Sequence, residues 1–193
     1  MRFIKSTLLL GAAATLSLVA CEKAKGPAAD SKSEQAGKAS DPISSAVAAA
    51  PVAVSSDATI MVANADGTTK VVRQGHNGWT CMPDNPGTPG HDPMCMDANA
   101  LKWAMAWMAH KDPPADSVGL IYMLSGGSDA SNMDPWGTKP EAGHKWVETG
   151  PHVMVVGSPS LNALYPSGPQ PDTTRPYVMF GGTPYAHVMI PVT

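Results

Sequence analysis

The stretch from Gly78 to His110 constrains the fold more than any other part of the chain. Two cysteines, Cys81 and Cys95, bracket a loop rich in proline and glycine, and Cys95 stands just before the strongest helix signal. Asp97 is a good N-cap residue and a Pro-Pro pair follows the apolar pattern, which predicts one main helix over about 97–111. A bond between the two cysteines would therefore fix where this helix begins.

The apolar residues of this helix recur at helical spacing and predict which face is buried. One stripe contains Leu101, Ala104, Met105 and Met108, and a second contains Trp103 and Trp107. Such a wide apolar arc predicts a helix that packs across a sheet.

The first twenty residues have the pattern of a secretory signal peptide. Arg2 and Lys5 supply the positive region, and a short apolar run follows that is too short to be a convincing membrane-spanning helix. The run ends in Leu18-Val19-Ala20-Cys21, which resembles the lipobox of bacterial lipoproteins.

The lipobox resemblance implies that Cys21 carries acyl chains such as palmitate and becomes the first residue of the mature protein. Two or more acyl chains anchor a protein stably, so the resemblance implies a partner membrane in the bacterial cell envelope. Glu22 follows the cysteine where the retention signal of the inner membrane favours Asp. The resemblance therefore implies an outer-membrane lipoprotein that faces the periplasm.

Lipidation of Cys21 leaves Cys81 and Cys95 as an even pair in an oxidising compartment, where disulfides persist. In the chain-entropy view, a disulfide that closes a loop of this size stabilises the fold by about 3 kcal/mol. The spacing is neither the C-x-x-C of redox-active pairs nor that of a zinc site. A structural disulfide is the favoured interpretation, with redox activity or metal ligation as alternatives.

Composition divides the chain into three parts: a signal peptide over 1–20, a flexible tether over 21–56 and a single globular domain over 57–193. The second part is rich in Ala, Ser, Lys, Gly and Pro and contains no aromatic residue. Such a stretch buries too little apolar surface to offset its chain entropy. Its expected role is to let the domain move away from the lipid surface.

Within the third part, frequent Gly and Pro predict short elements and long ordered loops. Asp66-Gly67 predicts a tight turn between two strands. The predicted strands are Ala58–Ala63, Thr69–Arg73, Val118–Leu124, Trp146–Glu148, His152–Val156, Tyr177–Phe180 and His187–Val192. Short strands with one helix predict an α+β fold, a mostly antiparallel sheet with the helix on one face.

The charge of the chain argues against nucleic acid as a partner. The formal net charge is −3, and two of the cations belong to the signal segment, so the mature protein is more acidic still. No basic patch is present in the sequence, and an acidic domain has no electrostatic attraction for nucleic acid or for anionic lipid.

Methionine and histidine provide the sharpest functional hypothesis. The chain has 12 Met and 6 His, and two strands share the letters H-V-M. Residues i and i+2 of a strand share a face, so neighbouring H-V-M strands would bring together His152, Met154, His187 and Met189. Thioether and imidazole ligands suit copper, above all Cu(I). The alternative is that Met fills the core while His bonds loop carbonyls.

Other residue sets point to weaker hypotheses. Asp129, Asn132 and Asp134 offer oxygen ligands in a Gly-rich loop, although their spacing departs from the EF-hand pattern. A hydrolase-like envelope enzyme remains the alternative to a binding module, because several loop residues could act as nucleophile or base. These are Ser125, Ser128, Ser131, His144 and His152. No nucleophile-elbow or metalloprotease motif accompanies them.

Loop tryptophans suggest a third kind of site. Trp79 and Trp136 lie between predicted strands, where an exposed aromatic ring can line a groove for a small apolar or sugar-like ligand. The stretches Gly78–Asp97 and Thr183–Thr193 resemble those of uncharacterised exported bacterial proteins. That resemblance brings no function and no catalytic residue with it. From the residues alone we expect an envelope-associated binding or structural module rather than an enzyme.

Overall fold

The computed structural model describes residues 41–115 and 117–192. The helices are α1 (Pro42–Val47), α2 (Val52–Ser55), α3 (Ala98–Met108) and α4 (Pro159–Asn162). The strands are β1 (Thr59–Ala63), β2 (Thr69–Arg73), β3 (Thr80–Met82), β4 (Met94–Met96), β5 (Gly119–Met123), β6 (Gly127–Asp129), β7 (Val147–Thr149), β8 (His152–Val156), β9 (Tyr177–Met179) and β10 (His187–Pro191).

Eight of the strands form one sheet in the order β2-β1-β3-β4-β5-β8-β10-β9, and β6 pairs with β7 in a separate ribbon. Only β1 and β3 run parallel among these pairs. The predicted mostly antiparallel sheet with one main helix is confirmed, and the fold of the described residues is α+β. The stretch between the predicted strands Val118–Leu124 and Trp146–Glu148 was expected to be a loop, but it contains strand β6.

The hairpin of β1 and β2 is confirmed and follows from its turn residues. Gly67 adopts a φ of 80°, which glycine tolerates without steric cost. The Asp66 carboxylate accepts a hydrogen bond from the Thr68 backbone N–H at 2.9 Å. Strand β2 ends the sheet on this side and leaves Val71 and Val72 exposed.

The cap predicted for α3 is confirmed. The Asp97 carboxylate accepts from the backbone N–H groups of Asn99 at 3.0 Å and Ala100 at 2.8 Å. Its other oxygen accepts from the Leu120 N–H at 2.9 Å, so one side chain fixes the helix against β5. The helix ends earlier than predicted, at Met108.

The predicted buried face of α3 is partly wrong. Ala100, Trp103 and Ala104 are the buried residues, whereas Met105 is 37 % exposed. The reason is close approach of the helix to the sheet, since a methyl group on Gly119 would lie 2.3 Å from the Ala100 nitrogen. Small residues and Trp103 therefore turn inward, and the long flexible methionines turn away.

The prediction of a flexible tether up to residue 56 is corrected by the structure. Helices α1 and α2 occupy this stretch, and Ala46 and Ala49 are fully buried in the same cluster as Cys81 and Cys95. Prolines did not prevent these helices, because Pro42 occupies the first helical position, where a missing N–H costs nothing. Cys21, the signal peptide and the first part of the tether lie outside the described residues.

The predicted disulfide between Cys81 and Cys95 is confirmed. The two residues lie directly opposite each other in the β3–β4 pair and are fully buried beneath α1. The bond therefore has the surroundings of a structural cross-link rather than of a reactive dithiol.

The sheet has two covered faces. One carries the disulfide and packs against α1. The opposite face lies beneath α3 and is called the methionine face here. Its seven methionines are Met82, Met94, Met96, Met123, Met154, Met179 and Met189.

The sheet edge at β9 is occupied by irregular backbone. Asn132 is fully buried, and its side-chain amide donates to the carbonyl oxygens of Gly168 at 2.7 Å and Val178 at 3.0 Å. The backbone N–H of Phe180 donates to the Asn132 carbonyl, and that of Val178 donates to the Pro166 carbonyl. These contacts leave β9 already paired on its outer side.

Candidate functional site

The two H-V-M strands, β8 and β10, are antiparallel neighbours. Met154 lies directly opposite Met189, and the next residues on the same face are His152 and His187. All four residues proposed from the sequence therefore lie on the methionine face, which also places them beneath α3 and the β6–β7 ribbon.

The register separates the two histidines along the strands. His152 lies opposite Pro191, while His187 lies four residues before that proline. Four residues of strand span roughly 13 Å along the backbone, so the two histidines lie on opposite sides of the Met154–Met189 pair. The face therefore holds two histidine–methionine groups rather than one four-ligand centre.

His152 presents an unshared electron pair to the protein interior. The side chain is 1 % exposed, and its Nδ1–H donates to the Gly150 carbonyl oxygen at 2.7 Å. The carbonyl can only accept, so the proton lies on Nδ1 and Nε2 carries the lone pair. That Nε2 is buried and has no hydrogen-bond partner among the described residues. Burial lowers the pKa of His152, which keeps the ring neutral.

His187 repeats this arrangement at the other end of the face. Its Nδ1–H donates to the Tyr185 carbonyl oxygen at 2.8 Å, and its buried Nε2 is also without a partner within the part of the chain that is described. Burial lowers the pKa of His187 to about 4, and electrostatic interaction with His152 adds a smaller lowering.

Aromatic rings enclose His187. Its ring centroid is 5.1 Å from that of Trp103 and 5.5 Å from that of Phe180, both in edge-to-face orientation. Met179 lies directly opposite His187 in the β9–β10 pair. The Trp103 Nε1–H is a further buried donor without a partner in the described structure. His187 thus lies beside an indole and a phenyl ring, with Met179 opposite it on the neighbouring strand.

The chemistry of this face is that of a soft-ion site. A metal-binding histidine commonly donates its other ring N–H to a backbone carbonyl, which fixes the tautomer and orients the ring. Both histidines have this arrangement, and thioethers are the ligands that Cu(I) prefers. By contrast, no group of three or more His, Cys, Asp or Glu side chains converges as a metal site in residues 41–115 and 117–192.

An acidic cluster that the sequence did not reveal lies beside the methionine face. Burial, with a contribution from the charge of Asp92, raises the pKa of Asp129 to about 7. The Asp129 residue is partly accessible to solvent, and neighbouring protein atoms desolvate its carboxyl group. Tyr177, whose hydroxyl bonds Thr149 at 2.7 Å, has its pKa raised by burial and by Asp129. The sequence offered Asp129 as an oxygen ligand or as a neighbour of an acid–base site, and it did not predict the raised pKa of this residue.

Asp92 links this cluster to the β6–β7 ribbon. Its Oδ1 accepts from the Ser128 backbone N–H at 2.7 Å, and Thr88 donates to Oδ2. Burial raises the pKa of Asp92, although these hydrogen bonds oppose the rise. A methyl group on Gly127 would lie 2.9 Å from Met123 Cε, 3.3 Å from His152 Cε1 and 3.7 Å from Asp92 Oδ1.

The loop oxygen ligands do not come together. Asp134 accepts from the Trp136 N–H at 2.9 Å, as in a common Asx turn. The Asn132 side chain donates its hydrogen bonds at the β9 edge of the sheet, and Asp129 lies close enough to Tyr177 to raise its pKa.

The residues of the hydrolase alternative do not form a nucleophile–base pair. Ser131 donates to the Glu141 carboxylate, and Glu141 in turn lies 3.4 Å from His144. Ser125 donates to the Ala48 carbonyl, and Ser128 bonds Asp92. Within the described ranges, no serine hydroxyl shares a hydrogen bond with a histidine ring.

The loop tryptophans predicted to line a groove pack against other rings. Trp79 lies 5.5 Å from Tyr122, and Trp136 stacks on His110 with centroids 4.6 Å apart. Trp146 instead helps to line an open surface groove of about 470 Å³, together with His144, Lys145 and Glu148.

Over the residues that the structure describes, every helix falls short of the length and apolarity that crossing a membrane requires. The chain matches no protein-family model, and neither a curated protein nor a solved structure is detectably similar to it.

Proposed function

We propose that this protein is an envelope binding protein that holds Cu(I) at His152 and at His187, each with the methionines nearest to it on the methionine face. The observation that carries the proposal is the pair of buried histidines, His152 and His187. In each histidine, Nδ1–H donates a hydrogen bond to the backbone carbonyl two residues earlier. The buried Nε2 of each has no hydrogen-bond partner among the described residues, and both histidines lie on the face with seven methionines.

Three features favour Cu(I) over harder ions. The ligands are neutral imidazole and thioether, and soft ligands of this kind select Cu(I). The lowered pKa of both rings keeps them in the unprotonated form that binds metal. The indole of Trp103 beside His187 can also stabilise a monovalent cation through its ring face.

Competition titration with a chromogenic Cu(I) chelator tests this function. Ascorbate should serve as the reductant, because it keeps copper as Cu(I) and a thiol could open the disulfide. We expect binding tighter than about 1 μM. His152→Gln and His187→Gln should each remove one site or weaken it at least about tenfold.

Two matched controls separate ligation from general damage. His76→Gln alters an imidazole whose side chain is 80 % exposed, and Met133→Leu alters a methionine that is 39 % exposed. Both should bind as the unaltered protein does. Absence of binding tighter than about 1 μM in the unaltered protein would remove the proposal.

We also propose that the chain is a lipoprotein anchored through Cys21 to the outer membrane and facing the periplasm. The signal-like residues 1–20 and the lipobox support this location. Palmitate labelling of the unaltered protein, lost in Cys21→Ala, is the expected result. Equal labelling of both would contradict the anchor.

A further inference from the structure

Three methionines and one histidine stand in line across four neighbouring strands. Met82 of β3 lies opposite Met94 of β4, and Met123 of β5 lies opposite His152 of β8. The β4–β5 register pairs Cys95 with Tyr122 and Met96 with Ile121, and continuing it by one residue pairs Met94 with Met123. The row Met82–Met94–Met123–His152 therefore crosses the methionine face at one level.

The steps along this row are short. Neighbouring strands lie about 4.8 Å apart, and methionine is a long, unbranched side chain with three rotatable bonds. Adjacent thioethers can therefore approach a common ion by rotamer changes alone, without movement of the backbone.

Burial increases along the row. Met82 and Met94 are only partly buried, Met123 is 7 % exposed and His152 is 1 % exposed. The next row inward is closed, since Met96 and Met189 are at most 1 % exposed. The outer end of the Met82–His152 row is thus the place where solvent reaches this group of thioethers.

Acidic residues flank the partly exposed end. Asp84 follows Met82 by two positions and Asp92 precedes Met94 by two, and the Asp92 backbone N–H donates to Asp84 Oδ1 at 2.7 Å. Negative charge at the mouth of a path raises the local concentration of a cation.

We infer that Met82, Met94 and Met123 form the path by which Cu(I) reaches His152. At each step a copper–sulfur bond forms to the next thioether before the previous one breaks, and the ion remains Cu(I) throughout. The final exchange places the ion on His152 Nε2, with Met123 retained as a thioether ligand. This inference rests on the proposed Cu(I) function.

Stopped-flow transfer of Cu(I) from a chromogenic chelate measures the rate separately from the affinity. The variant is Met82→Leu with Met94→Leu, because leucine keeps volume and hydrophobicity but removes the sulfur. We expect the loading and release rates of the His152 site both to fall about tenfold, equivalent to about 1.4 kcal/mol of barrier, with affinity unchanged. His187→Gln serves as the background, so that a single site is observed.

Two controls complete the design. Met133→Leu should leave both rates unchanged, and the single variant Met82→Leu at the outermost position should slow loading even if the double variant folds poorly. Circular dichroism and unfolding midpoints check the fold of each.

The outcomes separate the two proposals. No equilibrium binding by the unaltered protein overturns the Cu(I) function itself. Binding with unchanged rates in the double variant overturns the path alone. A loss of affinity through faster release also contradicts the path, because it makes Met82 and Met94 ligands of the final site.

Discussion

Asp129 provides the sharpest test of the electrostatics of this fold. Its partly buried carboxyl group lies near Asp92 and Tyr177, and desolvation raises its pKa from 3.8 to about 7. Because the pKa of Asp129 is higher in the folded state, the native protein binds more protons than the unfolded chain at pH values between the two pKa values. Stability should therefore fall as the pH rises from about 4 to about 7, and remain lower above that range.

The magnitude follows from the size of the shift. A shift of this size corresponds at most to about 4 kcal/mol, because each pH unit contributes about 1.4 kcal/mol. Asp129 keeps some solvent access, and solvent relaxation screens part of this cost, so we expect about half of it, roughly 2 kcal/mol.

The assay is urea unfolding of the unaltered protein and of Asp129→Asn at pH 4.5 and pH 8. Relative to the unaltered protein, the free energy of unfolding of the variant should rise by about 2 kcal/mol from pH 4.5 to pH 8, because Asn cannot ionise. Asp57→Asn, at an exposed position, is the matched control and should show no such gain. Stability curves of Asp129→Asn and the unaltered protein that run parallel with pH would refute the reasoning.

Three further predictions concern the framework that holds the site. Gly119→Ala should lower the free energy of unfolding in urea by about 3 kcal/mol or more, because its new methyl group would clash with the Ala100 backbone. The control Gly150→Ala has open space around the new methyl group and should change that free energy by at most about 0.5 kcal/mol. Replacing both Cys81 and Cys95 by Ala should cost about 3 kcal/mol, and a free-thiol count of the unaltered protein without reductant should detect neither cysteine. A chain that begins at residue 57 should unfold at a lower urea concentration than one that begins at residue 41, because it lacks the alanines packed on the disulfide. Equal unfolding midpoints of the two chains would support the predicted tether up to residue 56 instead.

Local signals in the sequence were sufficient for several elements. Asp97 gave the start of α3, Asp66-Gly67 gave the β1–β2 turn, and the apolar run His152–Val156 coincides with β8. These succeed because the residues that determine each element lie within it.

Elements that depend on distant partners could not be predicted in this way. The G-S-D letters of β6 carry no strand preference, and the strand exists because β7 pairs with it. Helix α1 reads as a linker because alanine gives little apolar area, and its stability comes from fitting closely over the disulfide. The buried face of α3 was misassigned because Gly119 brings Ala100 close to the sheet.

The candidate site was predictable only in part. The spacing of His and Met by two residues placed each pair on one face, but the distance between His152 and His187 depends on the register of β8 and β10. The free Nε2 atoms depend on which carbonyl each ring meets. A usable signal did exist for the methionine row, since a disulfide between antiparallel Cys81 and Cys95 sets Met82 opposite Met94.

The two ends of the sheet differ in a way that limits how copies of this chain can associate. At β9 the outer backbone groups are already satisfied by Asn132 and Pro166, whereas β2 ends the described sheet with exposed valines and Lys70 beside them. An open strand edge is a template for pairing with another chain. Within the eight-stranded sheet of the described residues, β2 is the edge left open, so two copies that paired through β2 would cover both open edges of that sheet. Growth of this sheet into a fibre needs two open edges per copy, so we expect pairing through it to stop at two copies.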